Sequence, residues 1–312
     1  MALPSSVSVR EVGPRDGLQI EQAVPTMRKL ELLRALVATG VPRIEATAFV
    51  SPRAVPSLAD AAEVAAALGE FAGVTWSALV PNATGARRAI AAGVTDLEHV
   101  VSAMDGHSLA NARRSSNDAV AEVEQVARLV HEAGGTCEVI IAVAWDCPFD
   151  GPTPVARTAA IAARAVALGA DQVCLGDTIG TASPARVLEL VDAVRVEIGD
   201  VPLGAHFHDT RGMGLANAWT AVQAGITQLD ASIGGLGGCP FAPGASGNIA
   251  TEELTYLLED AGIQTGIDLT AALAAARLAA EVVGHPLPSG LLRADGRSRP
   301  RSRTDARSSA AP

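Results

Sequence analysis

The feature that most constrains this chain is an alternation, repeated eight times, of a short β-like run with a longer helical pattern. Strand-like runs begin near Val7, Ile44, Thr75, Glu98, Cys137, Gln172, Leu203 and Gln228. Helical patterns cover Met27–Thr39, Leu58–Leu68, Gly85–Ala92, Ala119–Ala133, Val155–Leu168, Ala185–Ile198, Leu215–Ala224 and Glu252–Ala261, and a further helix spans Leu269–Val283. Many of them run into a glycine (Gly40, Gly93, Gly134, Gly169, Gly225), the residue that supplies a left-handed helix stop. Eight β-α units in sequence predict an α/β fold, a closed (β/α)8 TIM barrel forming one domain over residues 1–292. A doubly wound open sheet is the alternative, but no Gly-x-Gly-x-x-Gly follows the first strand to favour it.

The chain is 312 residues long and 48% hydrophobic, enough for a large single core. Its formal net charge of -10 argues against general attraction to nucleic acid or to an anionic membrane. Residues 293–312 differ: six arginines and two aspartates alternate with Ser, Gly and Pro, which reads as a solvated, disordered tail. The four cysteines (Cys137, Cys147, Cys174, Cys239) show no paired framework and read as thiols of a reducing compartment. The opening residues carry no basic and apolar leader pattern, and no apolar run approaches the roughly 20 residues of a membrane helix. The expectation is a cytoplasmic protein. Lys29 is the only lysine, placed on the solvent side of an amphipathic stretch. A lysine Schiff-base mechanism therefore lacks a buried candidate, and carbon–carbon chemistry here would be metal-dependent.

In a barrel the chemistry gathers at the carboxyl ends of the strands. Arg15 and Asp16 follow the first strand, Glu45 closes the second, and Asp177 and Thr178 follow the sixth. His206 and His208 close the seventh, two residues apart and so on one side of the strand. Asp16, His206, His208 and Asn248 supply a mixed oxygen and nitrogen set suited to six-coordinate Mg²⁺ or Mn²⁺. Each has a plainer reading: the histidines as strand-end polar groups, Asp16 as a residue of the Pro14–Gly17 turn, Asn248 as the N-cap of the next helix.

The segment from Gly234 to Asn248 holds six glycines, two prolines and Cys239. It reads either as a linker or as a mobile lid that brings Cys239 over a substrate for acid–base work. Cys137 and Cys174, inside strands, read as buried apolar residues. Arg15 could stabilise an enolate oxygen, or pair with Glu45 or Asp177. His99, His107, His131 and His285 read as structural or exposed.

Taken together, Val9–Gln19, Ile44–Pro52, Leu175–Gly180, His206–Thr210 and the cysteine loop resemble the motifs of the hydroxymethylglutaryl-CoA lyase family, barrel metallo-lyases related to isopropylmalate synthases. The resemblance runs from about Val7 to Leu292. It implies Asp16, His206, His208 and Asn248 as metal ligands and Arg15 on the acyl carbonyl oxygen. It also implies Cys239 as the catalytic lid cysteine, His206 with a part in catalysis, and Glu45 and Asp177 as acidic supports. Gln19, Thr178 and Arg211 join Arg15 as expected substrate contacts, and a homodimer is implied. The implied reaction is a retro-Claisen-type cleavage of a 3-hydroxy-3-methyl acyl-CoA, by default hydroxymethylglutaryl-CoA to acetyl-CoA and acetoacetate.

Departures from the family pattern concern substrate. Ala48 and Cys174 stand where the better-known lyases usually carry serine, Ile140 where a pocket tyrosine is expected, and Arg211 where tyrosine is familiar. Fewer hydroxyls and one more guanidinium, able to grip a carboxylate bidentately, suit citramalyl-CoA, which would yield pyruvate. A condensing synthase and a non-catalytic barrel that binds acyl-CoA are the further alternatives.

Overall fold

The computed structural model describes residues 3–239, 242–294 and 296, with the side chains of 239 and 242–246 left outside that description. The tail expected from residue 293 onward therefore lies almost wholly outside the described residues.

Eight parallel strands close into a barrel: β1 Ser8–Glu11, β2 Arg43–Ala48, β3 Thr75–Val80, β4 Asp96–Ser102, β5 Cys137–Ala142, β6 Gln172–Asp177, β7 Leu203–Phe207 and β8 Gln228–Ala231. Each pairs with its neighbours in sequence, and β8 returns to β1 with Arg10 opposite Asp230. The TIM-barrel expectation holds, and every strand begins within two residues of its predicted start.

Helices cover the barrel because each carries one apolar stripe. The helix Val123–Glu132 shows the pattern plainly, burying Val123, Val126, Ala127 and Val130. Each fully buried valine contributes on the order of 1.5–3 kcal/mol relative to exposure. The stops are as expected: all five named glycines have positive φ. Gly40 is the most constrained, with φ +82 and a position where any Cβ would lie 2.6 Å from the Gly266 carbonyl.

Three local expectations change. Lys29 does not face solvent; it is 4% exposed, and Nζ donates to Asp60 Oδ1 (2.5 Å) and the Ser57 carbonyl (2.6 Å). Burial of the aliphatic stem and a fixed carboxylate outweigh the helical pattern. The region Ala119–Ala133 is two helices, Ser116–Ala121 and Val123–Glu132, preceded by an unforeseen one, Asp105–Ala112, whose sequence has no apolar period. The glycine-rich loop is not a slack linker: its backbone pairs Gly238–Cys239 antiparallel with Ala242–Ser246.

Candidate active site

Pro14–Gly17 is not a separate β-turn but part of a wider turn that starts at Val12, whose carbonyl also accepts the Arg15 amide (3.1 Å). The Asp16 and Gly17 amides both donate to the Val12 carbonyl (2.7 and 3.2 Å), giving one wide π-type turn, Gly13–Gly17. That turn swings Arg15 and Asp16 over the barrel mouth. Glycine is needed at position 17, because a Cβ would meet Leu236 Cγ at 2.9 Å.

Opposite this turn, His206 is the penultimate residue of β7 and His208 follows its last residue, Phe207, with the two imidazole centroids 5.0 Å apart. Phe207 points the other way into the core, as strand alternation requires. Asn248 is not an N-cap; the helix Thr251–Asp260 is preceded by Ala250 in that role. Instead Asn248 lies beside His208 in an antiparallel bridge, and its Nδ2 donates to Asp16 Oδ2 (2.8 Å) and to the Leu236 carbonyl (3.2 Å). Both partners are acceptors, so the amide nitrogen is fixed there and Oδ1 is left as the ligand atom.

Asp16, His206 and His208 each offer one ligand atom, all within 4.8 Å of one another. His208 Nε2 lies 3.7 Å from Asp16 Oδ2. Burial opposes ionisation of Asp16, but Arg15, His208 and His206 outweigh it and hold the carboxyl well below its usual range. The charge balance suits a cation. Among the described residues, Asp16, Glu45, Glu98, Glu138 and Asp230 face the guanidiniums of Arg10 and Arg15 and the imidazoles of His206 and His208, with Arg43 at the edge 3.8 Å from Glu138. One carboxylate and two imidazoles form a donor set for a divalent cation.

Arg15 is clamped from both sides, by Asp16 Oδ1 (2.6 Å to Nη1) and Glu45 Oε2 (2.7 Å to Nε). The Glu45 contact is close but poorly aligned, so Glu45 lacks a directed hydrogen bond. Burial accordingly pushes its carboxyl well above the usual range despite the Arg15 charge. Of the two partners sequence offered for Arg15, Glu45 is the one the geometry selects. Asp177 instead accepts the Thr181 and Ala182 amides (2.9 and 3.2 Å) and braces the turn after β6.

Thr178 is half-buried, and its Oγ1 accepts the Val143 amide (2.8 Å). Val143 is β-branched yet has φ +51, an unfavourable backbone state held by Thr178 and by Thr153, which donates to its carbonyl (2.8 Å). Gln19 is half-buried just beyond the first turn, its carbonyl accepting Ser57 Oγ (2.9 Å). Arg211 is exposed, and its Nη1 donates to the carbonyls of Ile179 (2.5 Å) and Gly180 (3.2 Å). Ala48, Ile140 and Cys174 are buried, as is Cys137. The side chain of Cys239 lies outside the described residues.

Sequence reading missed two buried groups. Arg10 spans the barrel interior to Glu98, Glu138 and Asp230, and Asp230 reaches His206. Glu11 accepts the Gly13 and Ile233 amides and the Thr251 hydroxyl, while Glu252 accepts the Gly234 amide, so two carboxylates tie down the start of the glycine loop. The signal was present: charged residues inside β1, β4, β5 and β8, strands whose other residues are mostly apolar. The remaining histidines do have partners: His99 the Val80 and Ala119 carbonyls, His107 Ser102, His131 Asp171, His285 Glu21.

Comparison with known proteins places the chain in a family. The HMGL-like family matches residues 6–279. The hydroxymethylglutaryl-CoA lyase YngG of Bacillus subtilis is 39% identical over 290 residues, 93% of this chain and 97% of that protein. An (R)-citramalyl-CoA lyase of Chloroflexus aurantiacus is 43% identical over 296 residues, 91% of this chain and 93% of that protein. The solved structure of an HMG-CoA lyase from Acinetobacter baumannii, in complex with coenzyme A and 3-methylmalate, superposes with a TM-score of 0.91 at 38% identity. It covers 97% of this chain and 99% of its own. With the barrel, the converging ligand atoms and a match over most of its length, the chain belongs to the HMGL-like family, that of the hydroxymethylglutaryl-CoA lyases.

Proposed function

We propose that this carbon–carbon lyase uses Mg²⁺ or Mn²⁺ to cleave a 3-hydroxy-3-methyl acyl-CoA, with hydroxymethylglutaryl-CoA, split to acetyl-CoA and acetoacetate, as its default substrate. The observation that carries the reading is the meeting of Asp16, His206 and His208 within 4.8 Å beside a clamped Arg15. Asp16, His206, His208 and Asn248 Oδ1 would hold the ion, which when bound makes the substrate's tertiary hydroxyl more acidic. Loss of that proton lets the carbon–carbon bond break, its electron pair passing to the thioester as an enolate while the hydroxyl carbon becomes a ketone. Arg15 carries positive charge to the enolate oxygen, and the clamp by Asp16 and Glu45 pre-orients it. Cys239, delivered by the hairpin after β8, donates the proton that completes acetyl-CoA. Gln19 and Thr178 line the approach, and Asp177 keeps the turn after β6 in place. The free state of Cys137, Cys147 and Cys174 supports a cytoplasmic setting. Among the described residues no helix is long and apolar enough to cross a membrane. A homodimer is part of this proposal.

A second reading, citramalyl-CoA cleavage to pyruvate, is favoured by the apolar Ala48, Ile140 and Cys174 and by likeness to the Chloroflexus enzyme. Arg211 would serve it only by leaving the Ile179 and Gly180 carbonyls. The test offers hydroxymethylglutaryl-CoA and both citramalyl-CoA isomers together, with Mn²⁺, and follows products by mass spectrometry. Acetoacetate supports the first reading and pyruvate the second; neither product, with metal bound, overturns both.

A further inference from the structure

The proposed chemistry leaves one buried ionic cluster unused, and it touches the metal centre at a single point. Asp230 Oδ2 lies 3.1 Å from His206 Nδ1. Arg10 holds the same carboxylate with a fork, Nε to Oδ1 (2.8 Å) and Nη2 to Oδ2 (2.9 Å), so it cannot rotate. The other arm of Arg10 reaches Glu98 (2.7 Å) and Glu138. Backbone register sets both contacts, because Arg10 and His206 are each the direct strand neighbour of Asp230. Arg10, Asp230 and His206 are 3%, 5% and 8% exposed, so water does not compete for these positions.

We propose that Asp230, locked by Arg10, is a positioning residue that keeps the proton of His206 on Nδ1 and so presents the bare Nε2 to the metal. An ionised carboxylate can only accept hydrogen bonds, so the ring nitrogen facing it must carry the hydrogen. A neutral imidazole has one N–H and one lone pair, and fixing the first fixes the second. This gives Arg10 and Asp230 a use that hydrophobic side chains of equal volume could not supply, although burying such ions is costly. The inference rests on reading Asp16, His206 and His208 as metal ligands.

Two measurements test it. In the metal-free parent with ¹⁵N-labelled histidine, His206, assigned by its absence in His206→Gln, should show the Nδ1–H tautomer; an Nε2–H tautomer overturns the proposal. This readout does not require any variant to bind metal. Asp230→Asn places an N–H₂ among donors that need acceptors, so one contact is lost or His206 is driven to the other tautomer. Its Mn²⁺ affinity, measured by titration calorimetry on protein shown folded by circular dichroism, should fall about 10- to 100-fold. His208→Ala is run beside it. Lost binding in His208→Ala with parent-like binding in Asp230→Asn overturns this inference alone. Parent-like binding in His208→Ala overturns the metal reading and this inference with it.

Discussion

Asn248→Asp probes the proposed metal site most directly, because an amide nitrogen that donates is replaced by a carboxylate oxygen while shape is kept. In the parent, Nδ2 donates to Asp16 Oδ2 at 2.8 Å and to the Leu236 carbonyl at 3.2 Å. The substitution turns both contacts into oxygen facing oxygen. Two unit charges 2.8 Å apart repel by roughly 6 kcal/mol at an effective dielectric constant of about 20. The orphaned Leu236 carbonyl adds about 1–3 kcal/mol. Rotation of the new carboxylate and proton uptake relax most of this, leaving a net cost of about 2–4 kcal/mol in the metal-free protein. For a domain of this size, with an unfolding entropy of roughly 0.6 kcal/mol/K, that lowers Tm by roughly 3–7 °C. A divalent ion reverses the sign, since it is attracted to both carboxylates. Differential scanning calorimetry on chelator-treated protein, with and without saturating Mn²⁺, should therefore show a lower metal-free Tm and a larger Mn²⁺-induced rise than in the parent. A metal-free Tm equal to the parent's, or a smaller rise with Mn²⁺, would refute the assignment of Asn248 to the ion.

Three other perturbations are quantitative. Burial raises the Glu11 carboxyl from 4.5 to about 7, so between those values the folded protein keeps a proton that the unfolded chain has lost. Stability contributed there is present below pH 4.5 and falls as pH rises to about 7, and urea midpoints at pH 5 and 8 should show the parent losing about 2–3 kcal/mol relative to Glu11→Gln. Thr178→Val removes the acceptor for the strained Val143 amide and should cost about 1–3 kcal/mol in chemical denaturation, with a cost under a few tenths counting against that bond's role. Gly40→Ala combines a left-handed backbone with a Cβ 2.6 Å from the Gly266 carbonyl, and a loss of roughly 2–4 kcal/mol in the same assay is expected.

The alternation of apolar runs made the barrel legible because period 2 and period 3.6 are local signals that closure then reinforces. Where the fold departed from that reading, a long-range contact had overridden a local one. Lys29 sits on the polar side of its helical pattern, yet Asp60 draws it inward. The predicted helix Ala119–Ala133 breaks at Glu122, whose carboxylate is engaged by the Ala83 amide and Arg114 from outside the segment. Asp105–Ala112 has too few apolar residues to announce a helix, and is held by tertiary partners such as Asp105 with the Ser116 amide.

The site was legible for a topological reason: once eight parallel strands are assigned, Arg15, Asp16, Glu45, His206, His208 and Asn248 have to meet at one end. What topology could not say is which charges lie beneath. A lone Arg10 or Glu138 in a strand reads as an edge residue, and only closure of the barrel puts Arg10, Glu98, Glu138 and Asp230 around one another. Their consequence reaches the surface of the site. Among the described residues, four interior carboxylates and Asp16 at the mouth face two central guanidiniums, and burial pushes the Glu45 and Glu138 carboxyls up, toward the neutral form. A divalent cation held by Asp16, His206 and His208, as proposed, would meet the same deficit of positive charge from above. An ion at the mouth would complete an electrostatic balance that the charged floor of this barrel leaves open.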